Sequence, residues 1–255
     1  MKIAFAGKGG AGKSLVAGTA ARLLARRGER VLALDSDSVP GLSLSLGRGL
    51  DPSEQRLAEA AERRDNGWWY LKRGIGAVRA VQRYSIEAPD GVRLLQGGKT
   101  TMDGLGPPPG AVWALHEVVH RLGSPAFKDW SIVGDLSGGP RQVAYDWAPY
   151  AGALVVLVEP TVKSALTAKR IAKIASGRRS ARIVFVASKS DGPKATALVE
   201  QLIDAPVVAS IPVDQGAAEA ERTGLGLIDH APDSPAVVAV GRLLQRLAEL
   251  EVTEE

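Results

Sequence analysis

Along the chain, short apolar runs alternate with longer stretches in which apolar positions recur every three or four residues. Ile3 to Ala6, Val31 to Leu34, Val92 to Leu95, Ile132 to Val133, Ala153 to Val158, Ile183 to Ala187 and Val207 to Ile211 read as seven buried strands. Several are apolar throughout, the pattern of strands covered on both faces. Between them, Val16, Ala20, Leu23 and Leu24 share one helical face, as do Ala168, Ile171, Ala172 and Ala175, and Val237, Val240, Leu244 and Leu247. This alternation predicts an α/β fold: a mostly parallel, twisted sheet of about seven strands with helices on both faces.

Two stretches interrupt the pattern. Residues 48–91 are rich in Arg and Glu and hold the cluster Trp68-Trp69-Tyr70; residues 97–110 are rich in Gly and Pro and end Gly106-Pro107-Pro108-Pro109-Gly110. Because the strand series resumes on either side, the expectation is a single domain over 1–255 with an irregular insertion at about 48–110. The aromatic cluster reads either as a partner-docking patch or as core of that insertion.

Composition narrows the function classes. The 255 residues, 45% hydrophobic, include no cysteine, which excludes disulfides, thiolate metal sites and a cysteine nucleophile. A net charge of +4 permits nucleic-acid contact without demanding it, and the small basic cluster Arg178, Arg179 and Arg182 reads first as solvated surface. No apolar run approaches the ~20 residues of a membrane span, no signal peptide is visible, and the acidic end Glu249 to Glu255 is unsuited to anionic lipid. A cytoplasmic protein without membrane attachment is expected.

The strongest chemical signal is Gly7-Lys8-Gly9-Gly10-Ala11-Gly12-Lys13-Ser14, a G-x-x-x-x-G-K-[ST] phosphate loop between a strand and an amphipathic helix. Its glycines let the backbone N–H groups from Gly9 to Leu15 curl towards phosphate oxygens, through Gly10, Ala11 and Gly12, and the helix adds its positive end. Lys13 can reach the β- and γ-phosphates, and the Ser14 hydroxyl suits Mg²⁺, a hard cation. Two further strands end in carboxylates: Asp35-Ser36-Asp37 after Val31 to Leu34, and Asp135 followed by Leu136-Ser137-Gly138-Gly139. Such strand ends face the ligand crevice of an open parallel sheet.

A competing motif is His116-Glu117-Val118-Val119-His120, which matches H-E-x-x-H and would make a zinc site if a third ligand joined it. The helix carries an apolar stripe of Val112, Leu115, Val119 and Leu122 with both histidines at its edge, and no third ligand is evident in the sequence.

The extra lysine of the loop, in K-G-G-x-G-K-[ST], resembles the deviant Walker A loop of the ParA/MinD superfamily of P-loop NTPases. Asp35-Ser36-Asp37-Ser38-Val39-Pro40-Gly41-Leu42 is similar to its D-x-D-P-x-x-N-L switch, departing at Ser38 and Gly41. Asp135 to Gly139 is similar to its D-x-x-[AG]-G switch. The resemblance implies ATP with Mg²⁺ as cofactors and an ATPase that works as a nucleotide-switched homodimer on a client protein. Lys8 would reach the partner's nucleotide, Asp37 would orient the attacking water, Asp35 would hold Mg²⁺ through water and Asp135 from behind. Ser188 and Lys189 stand where relatives carry an Asn-Lys pair near the base, and Pro212, Val213 and Asp214 resemble an I-P-x-D segment that also lies near it. Within the superfamily the likeness extends to nickel-insertion ATPases that mature carbon monoxide dehydrogenase, through Glu159-Pro160-Thr161 and Asp214 to Glu221. Their C-x-C metal motif has no counterpart in Gly98 to Asp103, so an accessory or maturation role without thiolates is implied. The rival is a partitioning ATPase that binds nucleic acid.

Overall fold

The computed structural model describes residues 1–38, 41–49, 56–98, 108–177 and 181–252. Its first strand, β1 (Lys2–Gly7), feeds α1 (Lys13–Arg26), and β2 (Arg30–Asp35) returns to the sheet before the short α2 (Gly41–Ser45). After a hairpin of β3 (Ala61–Arg63) and β4 (Trp69–Leu71) come α3 (Ala77–Tyr84), β5 (Ile86–Glu87), β6 (Arg93–Gln96) and α4 (Pro109–Val119). The second half alternates regularly: β7 (Trp130–Asp135), α5 (Arg141–Ala144), β8 (Ala153–Val158), α6 (Val162–Ser176), β9 (Arg182–Ser188), α7 (Gly192–Ile203) and β10 (Ala209–Ile211). Three helices close the described chain: α8 (Gln215–Thr223), α9 (Leu227–His230) and α10 (Pro235–Val252).

All seven expected strands are present in one sheet, ordered β10-β9-β8-β1-β7-β2-β6-β5. Every pairing is parallel except that of β5, an eighth strand of two residues lying antiparallel on β6. Sequence reading missed it because two residues carry no periodicity. Along β1, Ile3 and Phe5 enter the core under α1 and α10, whereas Ala4 and Ala6 enter the core under α4 and α6. A strand covered on both sides has no polar face to show, which is why these runs read as apolar throughout. The stripe of α10 is buried as expected, at Val237, Val240, Leu244 and Leu247.

The stretch from 48 to 110 is regular over much of its described part. It contributes β6 to the main sheet and places the β3–β4 hairpin on α4, where a Cβ on Gly110 would lie 3.0 Å from the Trp69 ring. The aromatic cluster divides accordingly: Trp69 packs inward, while Trp68 is 57% exposed with its edge against Trp113. Gly98-to-Asp103 beyond Gly98, the Gly106-Pro107 pair, Val39-Pro40, Arg178, Arg179 and the end Thr253 to Glu255 lie outside the described residues.

One ion cluster locks α1 to the rest. The buried Arg22 guanidinium donates from Nε to Asp90 at 2.7 Å and also binds Asp229, and Arg26 Nε reaches the same Asp90 at 2.9 Å. Partial burial pushes the Asp90 carboxyl up, but the bonds from Arg22 and Arg26 outweigh it and hold it below the usual carboxylate range. Arg22→Ala would leave two carboxylates facing each other across a cavity. Because both acids are partly solvated, the expected loss is about 2–3 kcal/mol, below that of a fully buried pair, read by urea denaturation at neutral pH. The part owed to Asp90 is complete above its ordinary value near pH ~4 and fades as pH falls through the depressed one.

Candidate functional site

Strand register assembles the site. In the β2–β7 pairing Asp35 lies directly beside Asp135, and Phe5 of β1 lies on the other side of Asp135. Two carboxylates a hundred residues apart in sequence are thus set side by side at the C-terminal edge of the central strands. The phosphate loop leaves β1 between β7 and β8, over the same edge.

The loop's shape depends on glycine at particular points. Gly10 and Gly12 have φ of +82° and +85°, in the left-handed region. A Cβ on Gly7 would come within 2.6 Å of the Leu157 carbonyl. Ala11 N–H donates back to the Lys8 carbonyl at 3.2 Å. Gly12 caps α1 with no side-chain bond, so the first N–H groups of the helix are left for another acceptor. Lys13 is buried at the first turn, its Nζ 3.4 Å from the Lys8 carbonyl.

Asp135 is 1% exposed, and neither carboxylate oxygen has a partner with full hydrogen-bond geometry. Burial, then the neighbouring charges of Asp35 and Asp37, drive its pKa up to about 7; a loose approach of the Ser14 hydroxyl and the Lys13 ammonium act in the opposite sense. Its backbone is firmly held, since its carbonyl accepts from Ser36 Oγ at 2.7 Å and Leu136 N–H donates to Phe5. Asp35 is fully buried, and its Oδ1 accepts from Asp37 N–H at 3.1 Å.

The two carboxylate loops touch each other and the phosphate loop. Gln142, in α5, donates from Nε2 to the Ser36 carbonyl at 2.9 Å, while its Oε1 accepts from Ser137 N–H at 2.8 Å and lies 2.8 Å from Ser36 Oγ, whose single proton it shares with the Asp135 carbonyl. Gly139 N–H donates to the Gly7 carbonyl at 2.9 Å, and a Cβ on Gly138 would meet Gly9 Cα at 2.9 Å. Gly41, where the sequence departs from the related switch motif, lets α2 approach Ser14: a Cβ there would lie 2.6 Å from Ser14 Oγ. Beside Asp37 is a cavity of about 160 Å³, lined by Ser36, Gly97, Ser137, Gln142 and Trp147, room for several waters. Gln142 escaped the sequence reading because a glutamine in the first turn of a four-residue helix belongs to no motif.

The residues expected near the base come together at the far side of the loop. Ile211 pairs with Ser188 in register, which brings Pro212-Val213-Asp214 beside Ser188-Lys189. Ser188 Oγ donates to the Ala11 carbonyl at 2.8 Å and Lys189 Nζ to the Gly10 carbonyl at 2.7 Å, so both brace the phosphate loop. The Asp214 carboxylate is occupied elsewhere: Oδ1 accepts from Ala217 N–H and Oδ2 from Ala236 N–H, fixing the starts of α8 and α10. Lys8 is held within its own chain by Glu159, 3.1 Å from Oε2, while Lys189 takes Oε1 at 3.4 Å. Nothing in the local sequence pairs Glu159 with either lysine; the β1–β8 adjacency does.

His116 and His120 share one face of the α4 turn, outside this cluster. Among the described residues no group of three or more His, Cys, Asp or Glu is placed to hold a metal ion, and Glu117 is paired with Arg121 at 2.9 Å. The described helices include none long and apolar enough to cross a membrane.

Known proteins are similar to this chain in sequence and in fold. The CobQ/CobB/MinD/ParA nucleotide binding domain matches residues 2–228. The carbon monoxide dehydrogenase accessory protein CooC of Rhodospirillum rubrum is 27% identical over 248 residues, 91% of each chain. An ATP-binding protein of Methanocaldococcus jannaschii is 24% identical over 237 residues, 88% of this chain and 90% of its own. The septum site-determining protein MinD of Pyrococcus horikoshii, solved with Mg-ADP, superposes with a TM-score of 0.70 at 18% identity, covering 100% of this chain and 98% of that one. A glycine-shaped loop over paired strand-end carboxylates, on the MinD-like parallel sheet, accords with that match, and the chain belongs to the CobQ/CobB/MinD/ParA family of nucleotide-binding domains.

Proposed function

We propose that this protein is a Mg²⁺-dependent ATPase that switches between monomer and homodimer and acts on a client protein, in the manner of an accessory or maturation factor. The observation that carries it is the in-register pair Asp35–Asp135 facing Lys13 and Ser14 beneath the phosphate loop. A buried carboxylate without full hydrogen bonding, beside a second carboxylate and a hydroxyl, is an all-oxygen set that fits a hard divalent cation. Ser14 and Asp35 would hold Mg²⁺ with Asp135 behind them, and the ion would supply charge neutralisation at the phosphate oxygens.

The chain's own residues do the rest. Backbone N–H groups from Gly9 to Leu15 and the Lys13 ammonium bind the phosphates. Asp37, beside a cavity of water size, orients the attacking water and takes up its proton. Gln142, bonded to both Ser36 and Ser137, passes a change at either switch to the other. Ser188, Lys189, Pro212 and Val213 border the base side, with Asp214 positioning that segment. For Lys8 to reach a partner subunit's nucleotide it must exchange Glu159 for phosphate, which ties dimer closure to ATP. An accessory role is favoured by the full-length likeness to the carbon monoxide dehydrogenase accessory protein.

The test is light scattering of the purified protein as ATP and Mg²⁺ are added and consumed. Wild type should dimerise and then return to monomer. Asp37→Ala should stay dimeric, with turnover lowered by at least about 100-fold. Lys8→Ala should bind ATP yet remain monomeric. Brisk turnover in Asp37→Ala would remove that residue from its role, and ATP binding without any change in mass would end the dimer reading.

A further inference from the structure

The H-E-x-x-H segment is left unused by the ATPase reading, and its geometry is specific. His116 and His120 stand one helical turn apart with ring centroids 4.6 Å apart and planes inclined by 52°. An imidazole nitrogen binds zinc or a similar ion at about 2.0–2.1 Å, which places the ring centre roughly 3.2 Å from the ion. Two such rings meeting at roughly 90–110° would have centres about 4.5–5.2 Å apart, a range that contains the observed spacing.

A second observation concerns the proton on His116. Its Nε2 lies 3.1 Å from the Tyr145 carbonyl, an oxygen that can only accept. Nε2 therefore carries the hydrogen, and the lone pair of the neutral ring is left on Nδ1. A ring nitrogen donating to a backbone carbonyl is the usual outer contact of a metal-binding histidine, because it fixes both tautomer and ring orientation. Trp147 and Trp113 stand against the His116 ring in edge contacts, with ring centroids 5.1 Å and 5.9 Å away. Neighbouring Glu117 is engaged by Arg121.

We propose that His116 and His120 form a two-imidazole chelate for one borderline divalent cation of the zinc, nickel or copper type. In a chain without cysteine, imidazole is the ligand that selects such ions over Mg²⁺. With no third protein ligand among the described residues, water fills the remaining positions and the ion is exchangeable. Tyr145 directly follows α5, so the His116 ring would link the ion to the helix whose Gln142 joins the two switch loops. The site is independent of the nucleotide-binding reading.

The flanking tryptophans provide the readout. Untagged protein, in excess Mg²⁺ to fill the all-oxygen site, is titrated with Ni²⁺ while tryptophan fluorescence is followed. Wild type should show one saturating quenching phase at a single equivalent, with a sub-millimolar midpoint. His120→Ala, at an exposed position, and His116→Ala should each raise the midpoint about tenfold or more, with unchanged thermal melts. His230→Ala should match wild type, because His230 faces Glu219 on another helix. Quenching that is linear and unsaturable in wild type, or saturable and unchanged in both His116→Ala and His120→Ala, overturns the proposal.

Discussion

Lys13→Ala is expected to abolish nucleotide binding. Lys13 is 7% exposed, anchored in the first turn of α1, and its ammonium is close enough to Asp135 to help keep that carboxyl ionised. Alanine removes a buried cation that nothing else replaces at that point: Lys8 is bound to Glu159, and Lys189 to Glu159 and the Gly10 carbonyl. Two acidic strand ends would then face a triphosphate with one fixed positive charge fewer between them. A charge-assisted contact to phosphate lost in a desolvated site, together with that repulsion, should weaken ATP binding by at least about 100-fold, or roughly 3 kcal/mol. Lys189→Ala removes only a brace on the Gly10 carbonyl and should weaken binding by about tenfold at most. Isothermal titration with a slowly hydrolysed ATP analogue separates the two. Comparable affinity for Lys13→Ala and wild type would mean that the loop does not grip the phosphates as assigned.

The parts of this site that were legible in the sequence are those whose cause is local. A phosphate loop needs glycine at the left-handed positions Gly10 and Gly12, and that requirement is visible as residue type. Strands buried on both faces must be apolar throughout, so seven of eight could be placed. Relations across the sheet are set by register and carry no local mark. That Asp35 and Asp135 are neighbours follows from β2 pairing with β7; that Glu159 holds Lys8 follows from β8 lying beside β1. Asp214 has a second relation that no local pattern marks. Its segment was expected at the base, and it does lie at that edge, but its carboxylate fixes the starts of α8 and α10, the second through Ala236, twenty-two residues on. The hairpin of β3 and β4 was missed because strands of three residues, one running Ala61-Glu62-Arg63, are too short to display a period of two.

The mutual repulsion at that register has a consequence for stability. Asp135→Asn should stabilise the nucleotide-free protein while removing its response to Mg-ATP. Burial and the charge of Asp35 raise the Asp135 pKa to about 7, whereas an aspartate in the unfolded chain ionises near pH ~4. Below the lower value both states carry the proton and the group contributes nothing. Between the two, the folded protein holds a proton that the unfolded chain has lost, so raising pH draws the equilibrium towards unfolding until the folded carboxyl has ionised as well. The full penalty therefore stands above about pH 7. Asparagine keeps the shape, carries no charge, and turns an unsatisfied acceptor into a group whose amide can donate to Asp35. The gain should be about 1–3 kcal/mol at pH 8 and much smaller at pH 5. Thermal melts of both proteins at the two values measure it, and an equal shift at both would show that Asp135 ionises normally. The same melts repeated with Mg-ATP should raise wild type well above its unliganded value and move Asp135→Asn little, because a site that is strained when empty is one that ligand relieves.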